Sequence, residues 1–184
     1  MDYKVIRSKR KTISIAVNED GVTVRAPYYA SESEIDDIVE KHRVWIINRL
    51  KKIEERKEIN ENTEALSKEE LKTLYEKAAK VIPERTAYFA EKISVTYGRI
   101  TIRCQKTRWG SCSSSGNLNF NCLLMLTPPQ VLDSVVVHEL CHRKEMNHSR
   151  RFYAEVYKVF PEYDKWNKWL KENGASIMAR VYRQ

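Results

Sequence analysis

The chain has 184 residues, 42% of them hydrophobic and 32% charged, with five Gly and five Pro. That length suits one domain, or one domain with a small appendage, and the composition argues against a low-complexity or disordered chain. No apolar run nears the roughly 18 residues that span a bilayer, and the first residues lack an apolar signal stretch, so no membrane partner and a cytoplasmic location are expected.

The formal charge of +8 divides into +2 over residues 1–60, +3 over 61–125 and +3 over 126–184. Spread this evenly, it reads first as a solvated surface and second as weak attraction to nucleic acid.

Residues 12–17 and 22–26 alternate in the manner of strands, and Asn18-Glu19-Asp20-Gly21 between them suits a hairpin turn. One helix is expected over 33–57, opened by a capping box at Ser31 and Glu34. Its stripe of Ile35, Ile38, Val39, His42, Trp45, Ile46, Arg49 and Ile53 makes His42 a partly buried structural histidine. The polar stretch 58–64 reads as a loop. A second capping box, Ser67 and Glu70, begins another helix, which Pro83 should kink or interrupt. Residues 93–97 and 100–104 flank Gly98-Arg99 as a plausible hairpin, 108–116 reads as a small-residue loop, and 118–122 as a further strand. Thr127 should cap a helix reaching about Met146, with Pro128 at its first position. Ser149 should cap the next helix, and Pro161 should start a last one that Asn173-Gly174 closes.

The chemistry concentrates where three of the four histidines lie within eleven residues. His138-Glu139-Leu140-Cys141-His142 is an HExxH motif on the helix expected after Thr127. Positions i and i+4 share a helix face, so both imidazoles can reach one metal ion. Glu139, beside them, can take a proton from a water activated by that metal. His148, six residues on, lies beyond a stretch able to reverse the chain and is the favoured third ligand. Glu155 and Glu162 are the rivals. Three protein ligands leave a fourth position open, as in catalytic zinc sites. Cys141, between the histidines, is turned toward the core by its helical phase. None of the four cysteines forms a CxxC pair, which argues against a zinc ribbon, and Cys112 reads as a buried small residue before a thiol switch.

The run Arg108-Trp109-Gly110-Ser111-Cys112-Ser113, then Gly116-Asn117-Leu118-Asn119-Phe120-Asn121, then 137–142, then Asn147-His148-Ser149 with Phe152-Tyr153 resembles the YgjP-like metallopeptidases. The resemblance extends over nearly the whole chain. It implies an α+β, zincin-like catalytic domain, Zn2+ held by His138, His142 and His148, and Glu139 as general base. A more distant similarity is to the SprT-like and WLM zinc proteases. The interval to the third histidine matches the metzincins, but Glu145 stands where that group has glycine.

The expectation is therefore an N-terminal β-hairpin and helix over 1–65 and a catalytic domain over 66–184, or one packed unit of both. The expected function is a zinc-dependent peptidase acting on peptide or protein substrates. The alternative is a nucleic-acid-associated protease or binding module. Arg108, Trp109, Asn121 and Tyr153 are candidates for substrate or oxyanion contacts, and residues 118–121 are a candidate sheet edge for an extended peptide. Arg143, Lys144, Arg150 and Arg151 flank the motif and weakly suggest acidic or phosphate-bearing surroundings.

Overall fold

Alternating and helical hydrophobic patterns sort the chain into two units, Met1–Asn62 and Thr63–Gln184, in a computed structural model that describes residues 1–105 and 107–181. In the first unit, β2 (Ser14–Asn18) and β3 (Gly21–Pro27) form the expected hairpin, with Asn18 opposite Gly21. Gly21 sits at φ +107°, a conformation that side chains rarely adopt. β1 (Lys4–Ser8) pairs parallel to β3, giving the order β1-β3-β2. The alternation buries Val22, Val24 and Ala26 against Ile35, Val39 and Ile46.

The expected single helix is two, α1 (Glu32–Lys41) and α2 (Arg43–Asn62), because His42 leaves helical geometry at φ −102°, ψ 7°. Its Nδ1 lies 2.8 Å from the Ile38 carbonyl and the ring is exposed, so it closes α1 rather than joining the core. The expected loop at 58–64 is helical through Asn62. The run that precedes it, residues 51–57, is rich in Glu, Lys and Arg, which have good helix propensity, and Lys51 and Glu55 pair there at i,i+4, so the helix carries on into it.

In the second unit, both halves of the Ser67–Glu70 capping box open α3 (Lys68–Ile93). α3 continues past Pro83. Burial of Ala78, Ile82, Phe89, Ala90 and Ile93 on both sides of the proline outweighs one lost hydrogen bond. The expected hairpin around Gly98-Arg99 is absent. Ile93 ends α3, Ser94 turns the chain in the left-handed region, and β4 (Ile100–Arg103) pairs parallel to β6 (Leu118–Asn121). Residues 110–112 of the expected loop form β5 (Gly110–Cys112), antiparallel to β6, so the order is β4-β6-β5. β6 is thus the central strand. It is not the free edge expected of residues 118–121; β5 is an edge instead.

A 3₁₀ turn over Cys122–Leu126 leads to α4 (Pro129–Cys141). Thr127 does not cap α4: its hydroxyl donates back to the Leu124 carbonyl at 2.8 Å. α4 is apolar nearly all round and buried from Val131 to Cys141 apart from Asp133 and His138, so the Val135-Val136-Val137 run sits in the core as helix. It ends at Cys141, short of Met146. α5 (Arg150–Val159) follows the Ser149 cap, and α6 (Tyr163–Ala179) runs through Asn173-Gly174 without stopping. Gly174 is buried, and a Cβ there would stand 3.1 Å from Trp109 Cζ2. The glycine serves close approach and not termination. The unit is mixed α+β, with the motif helix α4 packed on α3, α6 and the edge strand β5. No helix among the described residues is long and apolar enough to cross a membrane.

Candidate metal centre

The i,i+4 spacing sets His138 and His142 on one face of α4 at its C-terminal end, their rings 4.9 Å apart. Tight turns follow, with Arg143 N–H donating to the Leu140 carbonyl and Glu145 N–H to the Cys141 carbonyl. The Ser149 hydroxyl then accepts from Phe152 N–H at the start of α5, fixing the residue before it, His148. His148 Nε2 lies 3.0 Å from His138 Nε2, and one ring nitrogen from each of the three histidines falls within 4.8 Å of the others. Beneath them, Phe152 is fully buried, with its ring 4.9, 4.6 and 5.0 Å from those of His138, His142 and His148.

Hydrogen bonds orient two of the rings. His142 Nδ1–H donates to the Glu145 carbonyl at 3.1 Å, which leaves Nε2 as a lone pair. His138 Nδ1 lies 2.8 Å from the Tyr163 hydroxyl at the start of α6, and that tyrosine is 5% exposed. Burial, and then the neighbouring His142 and His148, push His138 down to about 3. His142 is also lowered, chiefly by burial. Both imidazoles are therefore held neutral. Three imidazoles converging on one point, two with an outward partner on Nδ1, fit a divalent transition-metal ion. The 3.0 Å separation is close to the edge of about 3.3 Å set by tetrahedral ligation at roughly 2.0–2.1 Å.

Glu139 is 7% exposed, and burial raises its carboxyl to about 8 against a smaller opposing pull from Arg108. It lies against β5. A Cβ on Gly110 would come within 2.7 Å of Glu139 Oε1, so only glycine leaves room for the carboxylate there. Two clefts meet at Arg108, Gly110, His138 and Glu139. One, of about 280 Å³, opens over the three histidines along β5. The other, of about 200 Å³, lies between α4 and α6 and is walled by Trp109, Val135, Tyr163 and Leu170.

The four candidate contact residues separate. Arg108 and Trp109 line these clefts. Asn121 and Tyr153 line neither. Asn121 is 2% exposed, and its amide donates to the carbonyls of Gln105 and Arg108 at 2.8 and 3.0 Å while accepting from Leu123 N–H. It supports the Arg108 loop from behind. Tyr153 stands beside the site, its ring 6.4 Å from those of His148 and Tyr163. The rival third ligands point elsewhere, Glu155 to Lys144 and Glu162 to Lys165. Arg143 is a strut and not a substrate-facing charge: its guanidinium donates to the carbonyls of Thr96 and Ser114 and covers Gly116. Cys141 is buried in the core. Sequence reasoning gave no role to Tyr163, Phe152 or Gly110. Of these, Phe152 carried a signal, being i+3 from the Ser149 cap and four residues after the third histidine.

A family model described as YgjP-like, metallopeptidase domain, matches residues 11–74 and 57–173. No curated protein matches the chain. Among solved structures, the metallopeptidase zymogen jannalysin of Methanocaldococcus jannaschii is similar at 22% identity and a TM-score of 0.46, over 51% of this chain and 97% of that one. The metallopeptidase zymogen abylysin of Pyrococcus abyssi is similar at 20% identity and a TM-score of 0.46, over 50% and 94%.

Proposed function

The chain belongs to the YgjP-like metallopeptidase family, and on that premise we propose that it is a zinc-dependent peptidase of the HExxH type. The observation that carries this reading is the convergence of three imidazoles beside a buried carboxylate that opens on two clefts. His138, His142 and His148 would hold the ion. An all-histidine set of three suits zinc and leaves a position for chemistry. When bound, the ion would supply Lewis acidity at the carbonyl to be cut and to the attacking water.

The chain's own residues do the rest. Glu139 takes the proton of the attacking water and delivers it to the departing amine nitrogen. Its raised proton affinity, set by burial, suits it to both directions of transfer. Arg108 lines both clefts and acts electrostatically on Glu139, and it is the favoured donor to the negative charge that grows on the carbonyl oxygen. An extended peptide is proposed to lie along β5, whose residues Gly110, Ser111 and Cys112 line the metal cleft. Main-chain pairing with a sheet edge holds peptides with little dependence on sequence.

Replacing Glu139 by Gln tests the assignment. Hydrolysis of a denatured-protein substrate by zinc-loaded protein should fall by about 10² to 10⁴-fold, with one zinc per chain retained by metal analysis. Undiminished hydrolysis in that variant would sink the mechanism.

A further inference from the structure

The cleft between α4 and α6 shares His138 and Glu139 with the metal cleft but is not lined by His142 or His148. We infer that it receives an aliphatic or aromatic side chain of the peptide being cut, and that Trp109, seated on Gly174, sets its width. This rests on the peptidase reading above. A bond attacked at Glu139 has its neighbouring residues at the mouth of this chamber, because the two clefts share His138, Glu139 and Gly110. About 200 Å³ is well below the space a drug-sized ligand needs and suits one side chain.

The walls favour an apolar occupant. Trp109, Val135 and Leu170 supply hydrocarbon and ring surface. Two hydroxyls within are already engaged: that of Ser134 donates to its own helix at the Val131 carbonyl, 2.7 Å away, and that of Tyr163 is bonded to His138, while Arg108, Glu139 and Asn167 complete the polar part of the lining. Tyr163, Asn167 and Leu170 recur at i, i+4 and i+7, so one face of α6 forms a wall. Trp109 is fixed at both ends. Its carbonyl accepts from Asn121 N–H at 2.9 Å, and its indole lies over Gly174, where a Cβ would stand 3.1 Å from Cζ2 and 3.2 Å from Nε1. Glycine is a poor residue for a helix interior. Its presence in mid-α6 is accounted for by the indole it admits.

Binding can be read without turnover. The zinc-loaded Glu139→Gln protein is titrated calorimetrically with peptides that differ at one position, carrying Gly, Ala, Leu or Phe, the varied position being moved along the peptide. At one position Leu or Phe should bind at least about ten-fold more tightly than Gly, the scale on which apolar pockets discriminate. Adding Leu170→Trp should abolish that gain. Adding Gly174→Ala, which displaces the indole, should reduce it for Phe more than for Ala. Zinc content should not change in either. Affinities independent of the side chain, no binding of any peptide, or a preference that survives both substitutions would each overturn the chamber. Failure of the peptidase reading looks different: the preference is present, but the wild-type zinc-loaded protein cuts none of the peptides.

Discussion

At the scale of single residues, the site depends on groups that touch the ligands rather than on the ligands alone. His142 is oriented by a backbone carbonyl, which no substitution removes, whereas His138 relies on the hydroxyl of Tyr163. With Nε2 turned toward the metal position, His138 carries its proton on Nδ1 and donates it to that hydroxyl. Such outer partners fix the ring and raise its basicity, and their loss costs roughly 10- to 100-fold in metal affinity. Tyr163→Phe is therefore expected to weaken zinc binding by about ten-fold or more in a chelator competition titration. The ring remains to fill its buried site, so the urea midpoint of the metal-free protein should change little. A midpoint shift with unaltered zinc affinity would mark Tyr163 as packing only.

At the scale of elements, the loop between β4 and β5 carries Arg108 and Trp109, and one buried side chain organises it. Asn121 satisfies two carbonyls of that loop and the Leu123 N–H, the second of the following 3₁₀ turn. Asn121→Ala leaves those groups unpaired and should destabilise the protein by about 2–4 kcal/mol in urea denaturation. Asn121→Asp, which keeps the acceptor and loses the donors, should fall between. The same element explains which features were legible in advance. The HExxH helix, the Ser149 cap and the third histidine are local patterns, since i,i+4 spacing and a cap fix geometry within one or two turns. Gly110 was visible only as part of a small-residue loop, because its purpose is a carboxylate 29 positions away in the chain. Asn173-Gly174 resembles a helix stop because the indole that Gly174 admits comes from a distant strand entrance. Ile93 to Cys104 suggested a hairpin. The partner of β4 is β6, reached across an intervening strand, and no local turn signal encodes a parallel pairing. Pro83 was read from its local cost, which the apolar face of α3 overrides.

At the scale of the whole molecule, the excess of positive charge contributes in part to holding the fold. Arg143 ties the end of α4 to two loops, and Arg85 makes a two-bond ion pair with Asp133. Neither charge is free for an outside partner. The larger electrostatic consequence comes from the buried site, through proton linkage. The metal-free fold holds His138 near 3 against its ordinary 6.5, so it resists a proton that the unfolded chain accepts. That term makes stability fall as pH drops below 6.5. Glu139 has the opposite sign. Its carboxyl is raised from 4.5 to about 8, so the fold keeps a proton that the unfolded chain has released, and stability falls as pH rises between those values. Between 4.5 and 6.5 the Glu139 slope offsets that of His138, and His142, also lowered by burial, adds to the histidine side. Above 6.5 only the Glu139 slope remains, and from 6.5 to 8 it amounts to about 2 kcal/mol. The metal-free protein should therefore be less stable at pH 8 than at pH 6.5 by that amount in urea denaturation. The Glu139→Gln variant should show no such decline. A bound divalent cation favours the carboxylate over the acid, so zinc should stabilise the wild type more at pH 8 than at pH 6.5. A metal-free wild type equally stable at both values would mean that Glu139 is already ionised in the empty site, and that its burial leaves it more solvated than its 7% exposure implies.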